Sequence, residues 1–407
     1  MNRWLFTGVF ALLLLSVSVS GAGIIPEDLR IITEVYPPYN YEENGTLKGI
    51  AMDLVEEVLD RLGTGIDRDS FEILPWEEGY AIARNRTNTS LFSTARTPGR
   101  EDQFLWAGPL ASDRKLLFMR ADPDSSARAD PASLTIAVVS GNSALEYLIS
   151  AGADPEAIIT VPTISSAVLM VENGTADAFA YGEYAGREAI DRYAEDPSGF
   201  VEGAAIGEAS EYIAFHPGTD PAFVTAVDTG IQELKRDRAE TGITTYEAIL
   251  SRYLPARCDP APISRESIIS LTDTTASALQ TGADEAIAAI NAGNPPFRDE
   301  SDSDLYAFVF DTGVHLVANA VNQQHVGRNL SGTTDAYGKP FRDEMITLAR
   351  ENGSGWVSYV YSNPDSLGLY QKESYVKLVT GSDGAEYVAG SGRYLSCTEF
   401  PAAAARI

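Results

Sequence analysis

Leu29-Arg-Ile-Ile-Thr-Glu-Val35, running into Tyr36-Pro-Pro-Tyr39 and followed by Gly49-Ile-Ala-Met-Asp53, decides the fold. The first run is apolar and β-branched and reads as a buried strand, and the two prolines impose a turn. Gly49 then opens an amphipathic helix through Arg61, with Leu54, Val55, Val58, Leu59 and Leu62 on one side. The strand-then-helix unit recurs as 71–74 before 76–84, 134–139 before 143–151, and 158–161 before 165–173, with a further short strand at 176–180. This alternation predicts α/β units. Residues 223–238 and 245–253 read as helices.

Pro255-Ala-Arg-Cys-Asp-Pro-Ala-Pro262 breaks the pattern and marks a domain boundary, with a linker at 258–263. Beyond it, residues 264–291 read as one long helix rich in Ala, Ile and Thr. Short strands follow at 305–311, 314–318, 356–361, 374–379 and 386–394, and 340–351 reads as a helix with Phe341, Met345 and Leu348 on one face. A long helix on an antiparallel sheet is an α+β module.

Met1-Asn-Arg3 ahead of an apolar run to Val19, closed by small residues, has the profile of a signal peptide over residues 1–22, with an uncleaved anchor as the alternative. Acidic residues outnumber basic ones 58 to 30, for a net charge of -28, which argues against nucleic acid or an anionic membrane as partner. Outside the cell, Cys258 and Cys397 either pair or remain two free thiols. Sequons begin at Asn44, Asn85, Asn88, Asn173, Asn329 and Asn352. His216, His315 and His325 have no metal-ligand spacing, and neither a nucleophile elbow nor a phosphate loop occurs. The expectation is a chain without metal or cofactor that is not an enzyme.

Tyr36-Pro-Pro-Tyr39, residues 49–54, Thr97-Pro-Gly-Arg100 with Phe104 and Gly108-Pro109, Val139-Ser-Gly-Asn-Ser143 and Asn173-Gly-Thr-Ala-Asp177 resemble, in order and spacing, extracellular solute-binding proteins of the amino-acid type that serve ABC importers. The resemblance implies a two-lobed periplasmic-binding-protein type II domain over residues 27–257. It implies ligand contacts from Tyr36, Tyr39 and Trp76, and from Arg100 as the carboxylate-gripping arginine. A guanidinium offers a planar fork to a carboxylate, although Arg100 can equally pair with Glu101 or Asp102. Arg96 can reach either the ligand or a structural carboxylate. Gly141, Asn142 and Ser143 match the loop that opens a second-lobe helix, where free N–H groups suit an anionic oxygen or simple capping. The aspartate that binds the ligand's amine in the family falls at Gly182, and the adjacent Glu183 points differently. A generic small carboxylate or amino-acid derivative is therefore expected ahead of a standard amino acid.

Tyr306-Ala-Phe-Val-Phe-Asp311, Val326-Gly-Arg-Asn-Leu330, Tyr337-Gly-Lys-Pro-Phe341, Gly355-Trp-Val-Ser-Tyr359, Lys372-Glu-Ser-Tyr375 and Gly390-Ser-Gly-Arg-Tyr394 resemble single Cache domains, which implies a PAS-like α+β sensing module over 264–398. The family's Ala-His-Pro is replaced by Ala318-Asn319-Ala320. Tyr359, Lys372 and Tyr375 are the candidates for a second site, or else a cross-strand surface ladder. The two resemblances together imply an extracellular or periplasmic protein that captures a small carboxylate or amino-acid-like ligand for a membrane ABC permease. The alternative is a ligand-sensing ectodomain that signals through a separate membrane protein.

Overall fold

The computed structural model describes residues 25–121, 130–238, 241–256, 263–299, 304–362 and 368–396. The expected leader, almost all of the expected linker and both cysteines lie outside the described residues. Among the described residues no helix is long and apolar enough to cross a membrane.

The first lobe is laid down by β1 (Arg30–Thr33), the hairpin β2 (Tyr41–Glu43) and β3 (Thr46–Lys48), α1 (Ile50–Arg61), β4 (Glu72–Ile73), α2 (Trp76–Asn85) and β5 (Thr89–Ala95). The strand β6 (Leu105–Arg120) crosses into the second lobe, built from β7 (Ile136–Val139), α3 (Ala144–Ser150), β8 (Ile158–Val161), α4 (Ile164–Glu172), β9 (Ala178–Gly182) and α5 (Glu183–Tyr193). The chain returns along β10 (Phe200–Phe215) and closes the first lobe with α6 (Pro221–Arg236) and α7 (Thr245–Leu250). All the strands except the hairpin join one sheet in the order β4-β1-β5-β10-β6-β9-β7-β8. Its outer strands pair parallel, while β6 and β10 run antiparallel through both lobes. These two long strands tie the lobes together and carry side chains across the cleft.

Helix α1 starts where Gly49 has a φ of 127° and where a Cβ would sit 2.2 Å from the Tyr39 carbonyl oxygen. The turn through Tyr36-Pro-Pro-Tyr39 is thereby locked against the helix start, and only glycine fits the contact. Leu54, Val55, Val58 and Leu59 are buried as the helical pattern requires.

The expected single helix at 264–291 is two: α8 (Arg265–Thr281) and α9 (Ala283–Asn291), broken at Gly282, whose φ of -162° and ψ of 92° are extended. Glycine pays the largest backbone entropy in a helix, and here the chain leaves the helix at that residue. The second sheet, in the order β12-β11-β15-β14-β13, is wholly antiparallel and comprises β11 (Ala307–Asp311), β12 (Leu316–Asn319), β13 (Ser354–Ser362), β14 (Leu369–Thr380) and β15 (Glu386–Tyr394). Helices α8 and α9 cover one face, and α10 (Phe341–Asn352) packs Phe341, Met345 and Ala349 on the other. The whole is α/β followed by α+β.

The two units are docked. The Thr334 N–H donates to the Thr241 carbonyl at 2.8 Å and the Tyr337 hydroxyl to the Leu254 carbonyl at 2.9 Å. Val360 and Leu369 join the apolar cluster that holds α6 and α7.

Candidate functional site

Arg100 lies between the lobes, 8% exposed, with its guanidinium 5.0 Å from the Trp76 ring and 5.5 Å from the Tyr80 ring. It donates to the Ala95 carbonyl at 3.1 Å and across the cleft to the Gly141 carbonyl at 2.9 Å. Among the described residues no carboxylate pairs with it; Glu101 is taken by Arg96, at 2.5 and 2.7 Å. Thr97 to Glu146 and Ser140 to Glu77, both at 2.9 Å, also bridge the lobes.

The sequence candidates separate on this geometry. Tyr36, Trp76, Arg100, Gly141, Asn142 and Ser143 line one recess. Arg96 does not; it leaves the cleft for Glu101 and lies over Trp106 and Tyr212. Tyr39 is buried behind Tyr36, stacked at 5.3 Å, so it supports the ring rather than facing the recess. The Asn142 Oδ1 accepts the Ala144 N–H at 2.9 Å, which is local capping, while Gly141 has a φ of 70° and abuts the Trp76 indole.

Sequence reading missed the acids and the lysine beneath Tyr36. Asp113 and Lys115 on β6 and Glu211 on β10 are buried together. The Lys115 ammonium donates to Asp113 at 3.1 Å, to Glu211 at 3.2 Å and to the Tyr36 hydroxyl at 3.4 Å. Tyr36 donates to Asp113 at 2.8 Å, and the Glu183 N–H donates to the other Asp113 oxygen at 3.0 Å. A Cβ at Gly182 would lie 1.8 Å from Asp113, so the Asp113 carboxylate fills the space a side chain there would need. The Glu183 carboxylate turns away, to Arg114 at 2.7 Å and Arg187 at 2.9 Å. The signal for the cluster was Asp113 and Lys115 two apart on one face of a strand followed by Leu116-Leu-Phe118.

Burial pushes the Lys115 ammonium down, but the charges of Asp113 and Glu211 outweigh it and hold it protonated. Glu34, half-buried on the cleft wall, is pushed up to about 8 by burial and then by the charge of Glu211, against the pull of Arg100 and Lys115. The folded chain thus keeps a proton on Glu34 that the unfolded chain sheds from about pH 4.5 upward. Its contribution to stability is complete below that value and falls as pH rises toward 8. Thermal melts from about pH 5.5 to 9 should show a decline that Glu34→Gln flattens. Parallel profiles for the two proteins would sink the assignment.

The recess at Arg100 holds only about 30 Å³, but it opens beside a cavity of about 780 Å³ between the lobes. Glu34, Trp76, Val139, Ser140 and Tyr181 line both. The larger space adds Pro37, Ile164, Glu77, Glu188 and Arg192.

In the second unit, Tyr359 and Lys372 face each other across β13 and β14, while Tyr375 lies on the opposite face and donates to Ser354 at 2.9 Å. Tyr359 lines a cavity of about 60 Å³ with Tyr306, Tyr361 and Arg342. The Lys372 ammonium is buried over the rings of Tyr394, Tyr306 and Tyr361, at 4.4, 5.2 and 5.8 Å. Tyr359 and Lys372 are thus a buried cross-strand pair.

A family profile for bacterial extracellular solute-binding proteins, family 3, matches residues 29–255. The chain belongs to this family. A second profile, single Cache domain 2, matches residues 267–401. Similar solved structures include a histidine kinase sensor domain with similarity to periplasmic binding proteins, at 19% identity and a TM-score of 0.47, covering 56% of this chain and 96% of that one. An ancestral arginine-binding protein bound to glutamine matches at 17% identity and a TM-score of 0.45, covering 55% and 96%. The arginine-, lysine-, histidine-binding protein ArtJ of Geobacillus stearothermophilus matches at 16% and 0.43, covering 55% and 94%. Membership in family 3 with a Cache domain makes the chain an extracellular or periplasmic small-molecule-binding protein, built from binding and sensor domains rather than enzyme domains.

Proposed function

We propose that the family 3 domain, residues 27–257, captures a small carboxylate-bearing solute, an amino acid or a related acid, between its lobes and delivers it to a membrane ABC permease. One observation carries the reading: a buried guanidinium in the cleft, flanked by Trp76 and Tyr80, meets only carbonyl oxygens among the described residues. A ligand carboxylate supplies the bidentate acceptor that a buried guanidinium favours. The rest of the ligand extends into the larger cavity past Glu34. Lys115 offsets one of the two charges of Asp113 and Glu211, so the buried cluster keeps a net negative charge beneath Tyr36, and Glu34, protonated to about pH 8, offers a neutral carboxyl on the cleft wall. The assigned contacts are Tyr36, Trp76, Arg100, Gly141, Asn142 and Ser143, with Tyr39 supporting Tyr36. No chemical step is assigned to the site.

A second reading, a sensing ectodomain that signals through a separate membrane protein, is favoured by the docking of the Cache domain, residues 264–398, on α6 and α7. Calorimetric titration of the full chain with a panel of amino acids and short carboxylates tests capture. A saturable ligand whose binding shrinks the particle in solution scattering supports lobe closure in transport or sensing alike. A ligand lost in Lys372→Met but kept in Arg100→Ala would move the site to the Cache domain and leave sensing as the function. Product accumulating under catalytic conditions would overturn the binding reading.

A further inference from the structure

Where the family 3 domain meets the Cache domain there is a cavity of about 200 Å³, separate from the inter-lobe cleft. Arg238 and Gly242 reach it from the first unit; Arg328, Thr333, Arg342 and His325 reach it from the second. In a chain of net charge -28, three guanidinium groups converge here.

Their partners do not balance them. Arg238 is held by Glu247 at 2.7 and 3.0 Å and lies 4.7 Å from the Tyr361 ring. Glu247 also accepts from Ser362 and from the Thr244 N–H, so its oxygens are occupied. Arg342 is 7% exposed, yet among the described residues its side chain makes one hydrogen bond, to the Thr333 hydroxyl at 3.0 Å, and stacks on Phe341. Arg328 is exposed and among the described residues reaches only the His325 Nδ1, at 3.3 Å. Neither Arg342 nor Arg328 pairs with a carboxylate among the described residues. Burial, followed by the charge of these arginines, drives the His325 imidazole down to about 4, so it stays neutral and adds no counter-charge. A buried guanidinium with most of its donors unmatched is costly unless an anion completes it.

We infer that this junction cavity is a second ligand site, for a small multiply charged oxyanion, gripped by Arg328 and Arg342 with Arg238 at its wall. Phosphate and short dicarboxylates share the required chemistry: compact oxygen acceptors that match guanidinium forks. Because one wall is Arg238 and the other the Cache domain, the anion fastens the two units together.

Titration of the full chain with inorganic phosphate, and separately with succinate, in about 0.15 M chloride separates the sources while screening loose surface attraction. Saturable binding of at least one is expected, weakened about tenfold or more in Arg328→Ala, which removes charge-assisted hydrogen bonds from an exposed side chain that the fold does not need. Arg342→Gln should weaken it further, with a thermal melt to show that the variant is folded. Arg100→Ala should leave phosphate binding unchanged. No saturable phosphate heat together with no Arg328-dependent succinate binding, equal phosphate binding by Arg328→Ala and the wild type, or loss of phosphate binding in Arg100→Ala instead, would overturn the assignment.

Discussion

Replacing Lys115 by Met should destabilise the folded chain by about 3–5 kcal/mol, the usual result of removing one partner from a buried ionic group. Lys115 is 1% exposed and bonds to Asp113, Glu211 and Tyr36. Methionine fills nearly the same volume, so packing loss is small and the cost is electrostatic. It leaves two buried carboxylates facing each other, with the Tyr36 hydroxyl and the Glu183 N–H as remaining donors to Asp113. The variant should recover as pH falls, because protonating either carboxylate removes the uncompensated charge. Adding Asp113→Asn should restore part of the loss at neutral pH, since the remaining Glu211 then has no like charge beside it. The measurement is the denaturant midpoint at about pH 8 and about pH 5. A midpoint within error of the wild type at the higher pH would show that Lys115 does not hold the acids.

That cluster also marks the limit of what the sequence could disclose. The parallel units were legible because their strands are short apolar runs ahead of amphipathic helices, as at β1 and α1 or β7 and α3. The strands β5, β6 and β10 were not. The two longest contain Gly108-Pro109, Asp113-Arg-Lys115 and Glu208-Ala-Ser-Glu211, which read locally as loop. They are strands because each is paired on both sides, and tertiary pairing overrides local propensity. The charged residues in them looked solvated, and only the crossing of β6 and β10 brings Asp113, Lys115 and Glu211 together from positions 96 to 98 residues apart. Arg100 was legible through a motif, whereas Arg96, four residues earlier, was not separable from it until Glu101 was seen to claim it. In the Cache domain the period-2 alternation that unites Tyr359 with Lys372 necessarily places Tyr375 on the other face. The break of the long helix at Gly282 was marked by the glycine itself.

Arg100→Ala should weaken binding of the captured carboxylate by about 2–5 kcal/mol, because it leaves a buried charge on the ligand unpaired. The contribution depends on where the guanidinium is held. Two aromatic rings fix its plane, and its two carbonyl contacts come from opposite lobes, so the fork is in place only when the lobes are together. Arg100→Lys should recover little, since an ammonium is a point charge that cannot satisfy both carbonyls and a carboxylate from the same position. Neither change strands a buried acid, because no carboxylate pairs with Arg100 among the described residues, so both variants should melt near the wild type. Tyr36→Ala should weaken binding less: its hydroxyl is committed to Asp113 and Lys115, leaving only the ring for the ligand. Calorimetry on the three variants with the best ligand of the wild type reads this order directly. Wild-type affinity in both Arg100→Ala and Tyr36→Ala would place the ligand outside this recess and turn attention to Tyr359 and Lys372.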